Sequence, residues 1–181
     1  MVKTLLKEVK EYKKDTLLSP VYVSIEAILE VLIPFLMALL VDNGIEKGKM
    51  SSIWLYGILM LVAAFVSLWA GAKSGKHAAI ASSGFAKNLR KAEYRNIQNF
   101  SFSNIDAYST SGLITRMMTD VTNIQNAYQM IIRVCVRAPL MLIASLIMAF
   151  IINKQMAMIF VGVVFVLGVI LFGIIFIVSP I

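Results

Sequence analysis

The chain has 181 residues, of which 59% are hydrophobic and 15% charged, with a mean hydropathy of +0.82 and a formal net charge of +7. Soluble domains carry about 25% charged residues, so this composition excludes an ordinary water-soluble globule and indicates an all-α integral membrane protein. The positive balance does not indicate nucleic acid, because no basic stretch is interleaved with stacking aromatics and Lys and Arg segregate to one side of the apolar segments.

In chain order, Met1 to Asp15 set Leu5, Val9 and Tyr12 on one helical face among Lys3, Lys7, Lys10, Lys13 and Lys14. That pattern predicts an amphipathic elbow helix over 1–16, lying in the inner membrane interface. Four apolar runs then reach the ~20 residues that a bilayer requires: 17–41, 53–72, 134–152 and 155–178. The first begins near Ser19-Pro20, and carries Glu26 and Glu30 one helical turn apart on one face with Pro34 above them. Ionisable groups at membrane depth are costly and point to a cavity or a partner. Both glutamates are therefore candidates for the substrate pathway, and the alternatives are that Glu26 is solvated near the interface or pairs with Arg133 or Arg137. A cleavable signal peptide is not expected, since the run is too long and contains these acids.

Asp42 to Met50 reads as a short outer loop of turn formers. Trp54 and Tyr56 mark the outer end of the second span as interfacial aromatics do. A long cytoplasmic segment, 73–133, follows. Its first arm is rich in small residues from Gly75 to Gly84, which predicts close packing against a returning arm. Gly71-Ala-Lys-Ser-Gly75-Lys76-His77 has the look of a phosphate-binding loop, but it is one residue short between the glycines and lacks Ser or Thr after the lysine. His77 is the single histidine, with no cysteine or carboxylate at ligand spacing, so no metal site is expected.

Ser103 with Asp106 resembles a capping box, and the Ser109-Thr110-Ser111-Gly112 cluster ends one short helix and opens the next. A transverse helix over about 103–110 is predicted at the tip of the two arms. Leu113, Met117, Val121, Ile124, Tyr128, Ile131 and Cys135 form the packed stripe expected for the returning arm. The third span opens at Arg137-Ala-Pro139, and Asn153-Lys154 turns the chain into the fourth. Cys135, alone and on the stripe, supports neither a disulfide nor a metal site.

Basic residues fix the expected topology. Lys47, Lys49 and Lys154 are the only ones on the far side, against five before the first span and nine from Lys73 to Arg137. The N-terminus and the long segment are expected to be cytoplasmic, in a multi-pass protein of the plasma membrane.

Asp106, Ser111-Gly-Leu-Ile-Thr-Arg116, Thr119-Asp120-Val-Thr-Asn-Ile124, Arg137-Ala-Pro139 and Leu40-Val-Asp42-Asn-Gly-Ile45 together resemble the transmembrane domain of type-1 ABC exporters, most of all bacterial multidrug half-transporters. The resemblance covers nearly the whole chain. It departs at Asn104-Ile105, where the family carries an aromatic pair, and by one extra residue between Asp106 and Gly112. It implies a six-helix domain of which these are four, with long cytoplasmic helical extensions, a second half-transporter in a homo- or heterodimer, and a nucleotide-binding domain that holds ATP and Mg. Ser103, Asn104, Ile105, Asp106, Ala107, Tyr108, Ser109 and Thr110 would be the first coupling helix, which rests on that domain.

Walker and signature motifs are absent from the sequence, so no ATP hydrolysis or cofactor is expected of these residues themselves. The chain stops at Ser179-Pro180-Ile181 where another cytoplasmic segment is expected, and reads as an N-terminal part. Two further function classes remain open from the sequence. One is a membrane scaffold with a cytoplasmic docking hairpin, and the other is a secondary transporter using Glu26 or Glu30 as a proton relay.

Overall fold

The computed structural model describes residues 7–99 and 110–178, and all regular structure among them is helical. Among the described residues, four helices are long and apolar enough to cross a membrane. We label the α-helices α1 (Lys13–Leu40), α2 (Met50–Gln98), α3 (Thr110–Thr115), α4 (Val121–Ile152) and α5 (Lys154–Val178). A single π-helical turn, Val41–Ile45, extends α1, and another, Arg116–Asp120, joins α3 to α4.

The elbow differs from the amphipathic α-helix expected over 1–16. Residues 1–6, Leu5 among them, lie outside the described residues, and Lys7–Tyr12 form a 3₁₀ turn broken at Lys10, whose φ is 37°. A non-glycine residue in that region is strained. The break is held by packing: Val9 is buried and Tyr12 covers Gly84, where a Cβ would overlap the ring. Asn88 also donates from Nδ2 to the Glu8 carbonyl at 2.9 Å. Continuous α-helix then starts at Lys13, earlier than the Ser19-Pro20 start expected for the span. Pro20 is accommodated inside it, with the Ser24 hydroxyl donating to the Pro20 carbonyl at 2.7 Å.

The turn between α1 and α2 is short because α1 winds on through Val41–Ile45 before Gly48, at φ 59°, reverses the chain. Gly44 permits the close return of α2, since a Cβ there would stand 2.7 Å from Ile53 Cγ1. At the turn between α4 and α5 Asn153 is extended, and its Oδ1 accepts from the backbone N–H groups of Gln155 at 2.9 Å and Met156 at 3.3 Å. That is an N-cap for α5.

Helix α2 has 49 residues, so at 1.5 Å per residue it is roughly 73 Å long, against a hydrocarbon core of ~30 Å. The part beyond Ala72 forms an arm of roughly 39 Å. Its small residues pack as the sequence suggests: Ala78, Ala81 and Ala86, with Phe85 and Leu89, join Val9, Val121, Tyr128 and Ile132 in one buried cluster. Phe85 and Tyr128 meet at 4.7 Å between ring centroids. Along α4 the buried positions run Val121, Tyr128, Ile132, while Ile131 and Cys135 are exposed. This corrects the expected stripe: a straight helix repeats every 3.6 residues, and from Val121 that period falls on Ile132 and not on Ile131.

Helix α5 packs against α4 and leaves Met158, Phe165 and Phe172 more than two-thirds exposed. Such surface suits lipid and not water.

Candidate functional site

Helices α1, α2 and α4 meet around an intramembrane charge cluster. Glu26 and Glu30 project from α1 and Arg137 from α4, so the two glutamates predicted to share a face do meet one partner. Arg137 Nη2 donates to both Glu30 oxygens, at 2.8 and 2.7 Å, and Nη1 donates to Glu26 Oε1 at 3.2 Å. Charge-assisted contacts of this kind are the ones strong enough to hold carboxylates out of water.

Glu26 is 8% exposed and fits because α2 offers no side chain at Gly71. A Cβ there would stand 2.8 Å from Glu26 Oε1 and 2.9 Å from Cδ. The other oxygen, Oε2, is buried and has no hydrogen-bond partner among the described residues. Glu30 and Arg137 are about one-third exposed. Glu30 borders a cleft of about 630 Å³, which Glu26, Ser67, Gly71 and Gly75 also line.

Arg133 shares that cleft but not the cluster. Its Nη1 lies over Gly75, 3.6 Å from where a Cβ would be, and it makes no hydrogen bond or ion pair with the described residues. Of the two arginines considered from the sequence, the structure therefore brings only Arg137 to the acids.

Further polar contacts gather between the cluster and the N-terminal end of α1. Asp15 Oδ1 and His77 Nδ1 are 2.7 Å apart. Tyr22 stacks on the His77 ring at 5.6 Å and 5°, and meets Trp69 edge-on. The Ser74 hydroxyl donates to the Ser19 carbonyl at 3.1 Å, and the Thr16 and Tyr128 hydroxyls are 2.8 Å apart. Sequence reasoning missed Asp15 as the histidine's partner because 62 positions separate them. In the sequence Gly71 stands out only as part of a phosphate-loop pattern. Gly71 to His77 lie inside uninterrupted α2, so they form no backbone cradle for a phosphate.

On the arms, Arg90 Nη2 donates to Thr122 Oγ1 at 3.2 Å and Gln125 Nε2 to Ser83 Oγ at 3.4 Å, tying α2 to α4. Glu93 has a buried oxygen, Oε2, without a hydrogen-bond partner among the described residues. Its desolvation, with the charge of Asp120 nearby, raises its carboxyl above the usual range, against a lesser opposing effect of Arg90. Ser103, Asn104, Ile105, Asp106, Ala107, Tyr108 and Ser109 lie outside the described residues. Thr110 opens α3.

Comparison with known proteins gives a family match over residues 17–180, to the ABC transporter transmembrane region. The chain is 34% identical over 131 residues to the uncharacterized ABC transporter ATP-binding protein YfiB of Bacillus subtilis (strain 168), which covers 72% of this chain and 23% of that protein. It is 27% identical over 157 residues to the uncharacterized ABC transporter ATP-binding protein Rv1273c of Mycobacterium tuberculosis (strain ATCC 25618 / H37Rv), covering 82% of this chain and 26% of that protein. The same figures hold for Mb1304c of Mycobacterium bovis (strain ATCC BAA-935 / AF2122/97). The chain thus spans about a quarter of the length of these relatives.

Proposed function

Because the chain belongs to the ABC transporter transmembrane family and is a multi-pass membrane component of a transporter, we propose that it lines part of the substrate pathway of an ATP-driven exporter and couples ATPase motion to that pathway. The observation that carries this reading is the continuity of α2, which runs without a break from the outer turn at Met50 to Gln98. A helix cannot shorten or bend freely along such a length, so displacement at its cytoplasmic end moves its intramembrane part as well. The Phe85–Tyr128 contact and the Arg90–Thr122 bond tie this arm to α4, which makes the pair of arms a lever.

In this reading, residues 103–110 at the tip of the lever form the coupling helix and rest on a nucleotide-binding domain. That domain, and not these residues, holds ATP and Mg. A second half-transporter completes the pathway, the protein sits in the plasma membrane, and the N-terminus is cytoplasmic. Glu26 and Glu30, beside the cleft, belong to the wall of the pathway, and Arg137 holds them in place.

The test is made in the full-length transporter. Ile105 and Tyr108 are the largest apolar groups of the proposed coupling helix, so replacing both with Ala is expected to lower transport per ATP hydrolysed while basal hydrolysis persists. Unchanged transport per ATP would overturn the coupling role.

A further inference from the structure

The charges around the cleft between α1, α2 and α4 are unevenly paired, and the imbalance defines what the cleft can hold. At its outer end two carboxylates, Glu26 and Glu30, share the single guanidinium of Arg137, which leaves one negative charge in excess. At its inner end Arg133 carries a positive charge with no partner among the described residues, over Gly75. Gly71 and Gly75, which face these two ends, are one turn apart on α2, so the ends are separated by about 6 Å along the helix.

A simple cation in the cleft would be drawn to the acids but repelled by Arg133. An anion would pair with Arg133 and meet the uncompensated carboxylate. A molecule carrying both charges, an ammonium and a phosphate or carboxylate joined by a short spacer, satisfies both ends at once. Glu30, about one-third exposed at the cleft, retains acceptor lone pairs for an ammonium beyond those taken by Arg137. Arg133 offers a planar fork of donors that matches phosphate or carboxylate oxygens. Ile33, Ala64 and Leu68 supply an apolar wall beside these groups.

We propose that this cleft is a binding site for a zwitterionic head group, with its anionic group on Arg133 and its ammonium on the Glu26–Glu30 pair. The assignment rests on the reading of these spans as a substrate pathway and names the chemistry that the pathway recognises. Arg137 already takes one of the two carboxylate charges, so the cleft is not matched to a simple cation.

The experiment uses the full-length transporter in vesicles of equal parts phosphatidylethanolamine and phosphatidylglycerol, with the lipid that stays bound counted by native mass spectrometry. The expected result is retention of the zwitterionic lipid over the anionic one by roughly tenfold, the scale of one charge-assisted hydrogen bond. Arg133→Gln should bring that ratio to about one, and Arg133→Lys should restore part of it. Displacement of the lipid by soluble glycerophosphoethanolamine supports recognition of the head group alone, and retention despite that probe supports recognition of the intact lipid. Equal retention of the two lipids by the unaltered protein overturns the assignment, and that comparison stands even where an Arg133 variant fails to insert. An unchanged ratio in an inserted Arg133→Gln variant overturns it as well. ATP-driven transport measured on the same preparation separates the two readings: transport without selectivity removes the zwitterion site alone, and selectivity without transport removes the exporter.

Discussion

Gly71 on α2 lies directly beneath the carboxylate of Glu26 on α1, so close that an added Cβ would stand 2.8 Å from Oε1. The glutamate cannot retreat without leaving Arg137, which holds that same oxygen at 3.2 Å. Gly71→Ala is therefore expected to destabilise the full-length protein by about 1–3 kcal/mol, the usual cost of overpacking a tight contact. Thermal unfolding in detergent would measure it. Combining Gly71→Ala with Glu26→Ala should cost less than the sum of the two single changes, because the second removes the atoms with which the first collides. Strict additivity would show that the contact carries no such strain.

Arg137 is the only described cation that reaches either acid. Its replacement by Met leaves two uncompensated carboxylates beside apolar helix faces, and breaking such a pair from one side typically costs about 3–5 kcal/mol. The variant should fold poorly, and adding Glu26→Gln and Glu30→Gln should recover much of the loss. Arg133→Gln, which removes no pair, should unfold within about 1 kcal/mol of the parent. If Arg133→Gln proved as damaging as Arg137→Met, the division of roles between the two arginines would be wrong.

What could be read from the sequence follows what each signal physically encodes. The spans are set by apolar length, and Glu26 and Glu30 stand out because a bilayer penalises charge wherever it occurs. Which arginine answers them depends on the relative height of α1 and α4, and no local pattern carries that height. Gly71 illustrates the same limit: in the sequence it suggests a phosphate loop, and only its apposition to Glu26 explains it. The 3₁₀ elbow escapes a periodicity argument because Tyr12 on Gly84 and Asn88 on the Glu8 carbonyl decide the backbone there. Steps of three or four residues point to Ile131 and Cys135, whereas the straight course of α4 buries Ile132.

Glu93 gives the arms a pH dependence of known sign. Its carboxyl is raised in the folded protein by desolvation first and by Asp120 second, so over the interval above the ordinary carboxylate range the folded state binds more protons than the unfolded one. Stability from this group is then present at low pH and falls as pH rises towards and through the raised value. Glu93→Gln should raise the unfolding midpoint at pH 8 and leave it nearly unchanged where Glu93 is protonated in both states. The side chain is only partly buried, so solvent screening should keep the difference below about 1 kcal/mol. A stabilisation that grew towards acid pH would contradict the assigned cause.

The topology proposed from the basic residues can be tested from both sides of the membrane. Fourteen of the seventeen Lys and Arg residues lie before the first span or between Lys73 and Arg137, and loops of such bias stay on the cytoplasmic side during insertion. In the structure Ser51 stands at the start of α2 beside the turn from α1, whereas Tyr94, 54% exposed, sits near the far end of the same helix. About 43 residues at 1.5 Å each separate the two by roughly 65 Å, twice the hydrocarbon thickness, so they cannot share a side. With the exposed Cys135 replaced by Ala, Ser51→Cys should react with a membrane-impermeant maleimide on intact cells. Tyr94→Cys should react only after permeabilisation. Labelling of Tyr94→Cys from outside would invert the orientation and remove the arms from reach of any cytoplasmic ATPase domain, and the lever reading would fall with it.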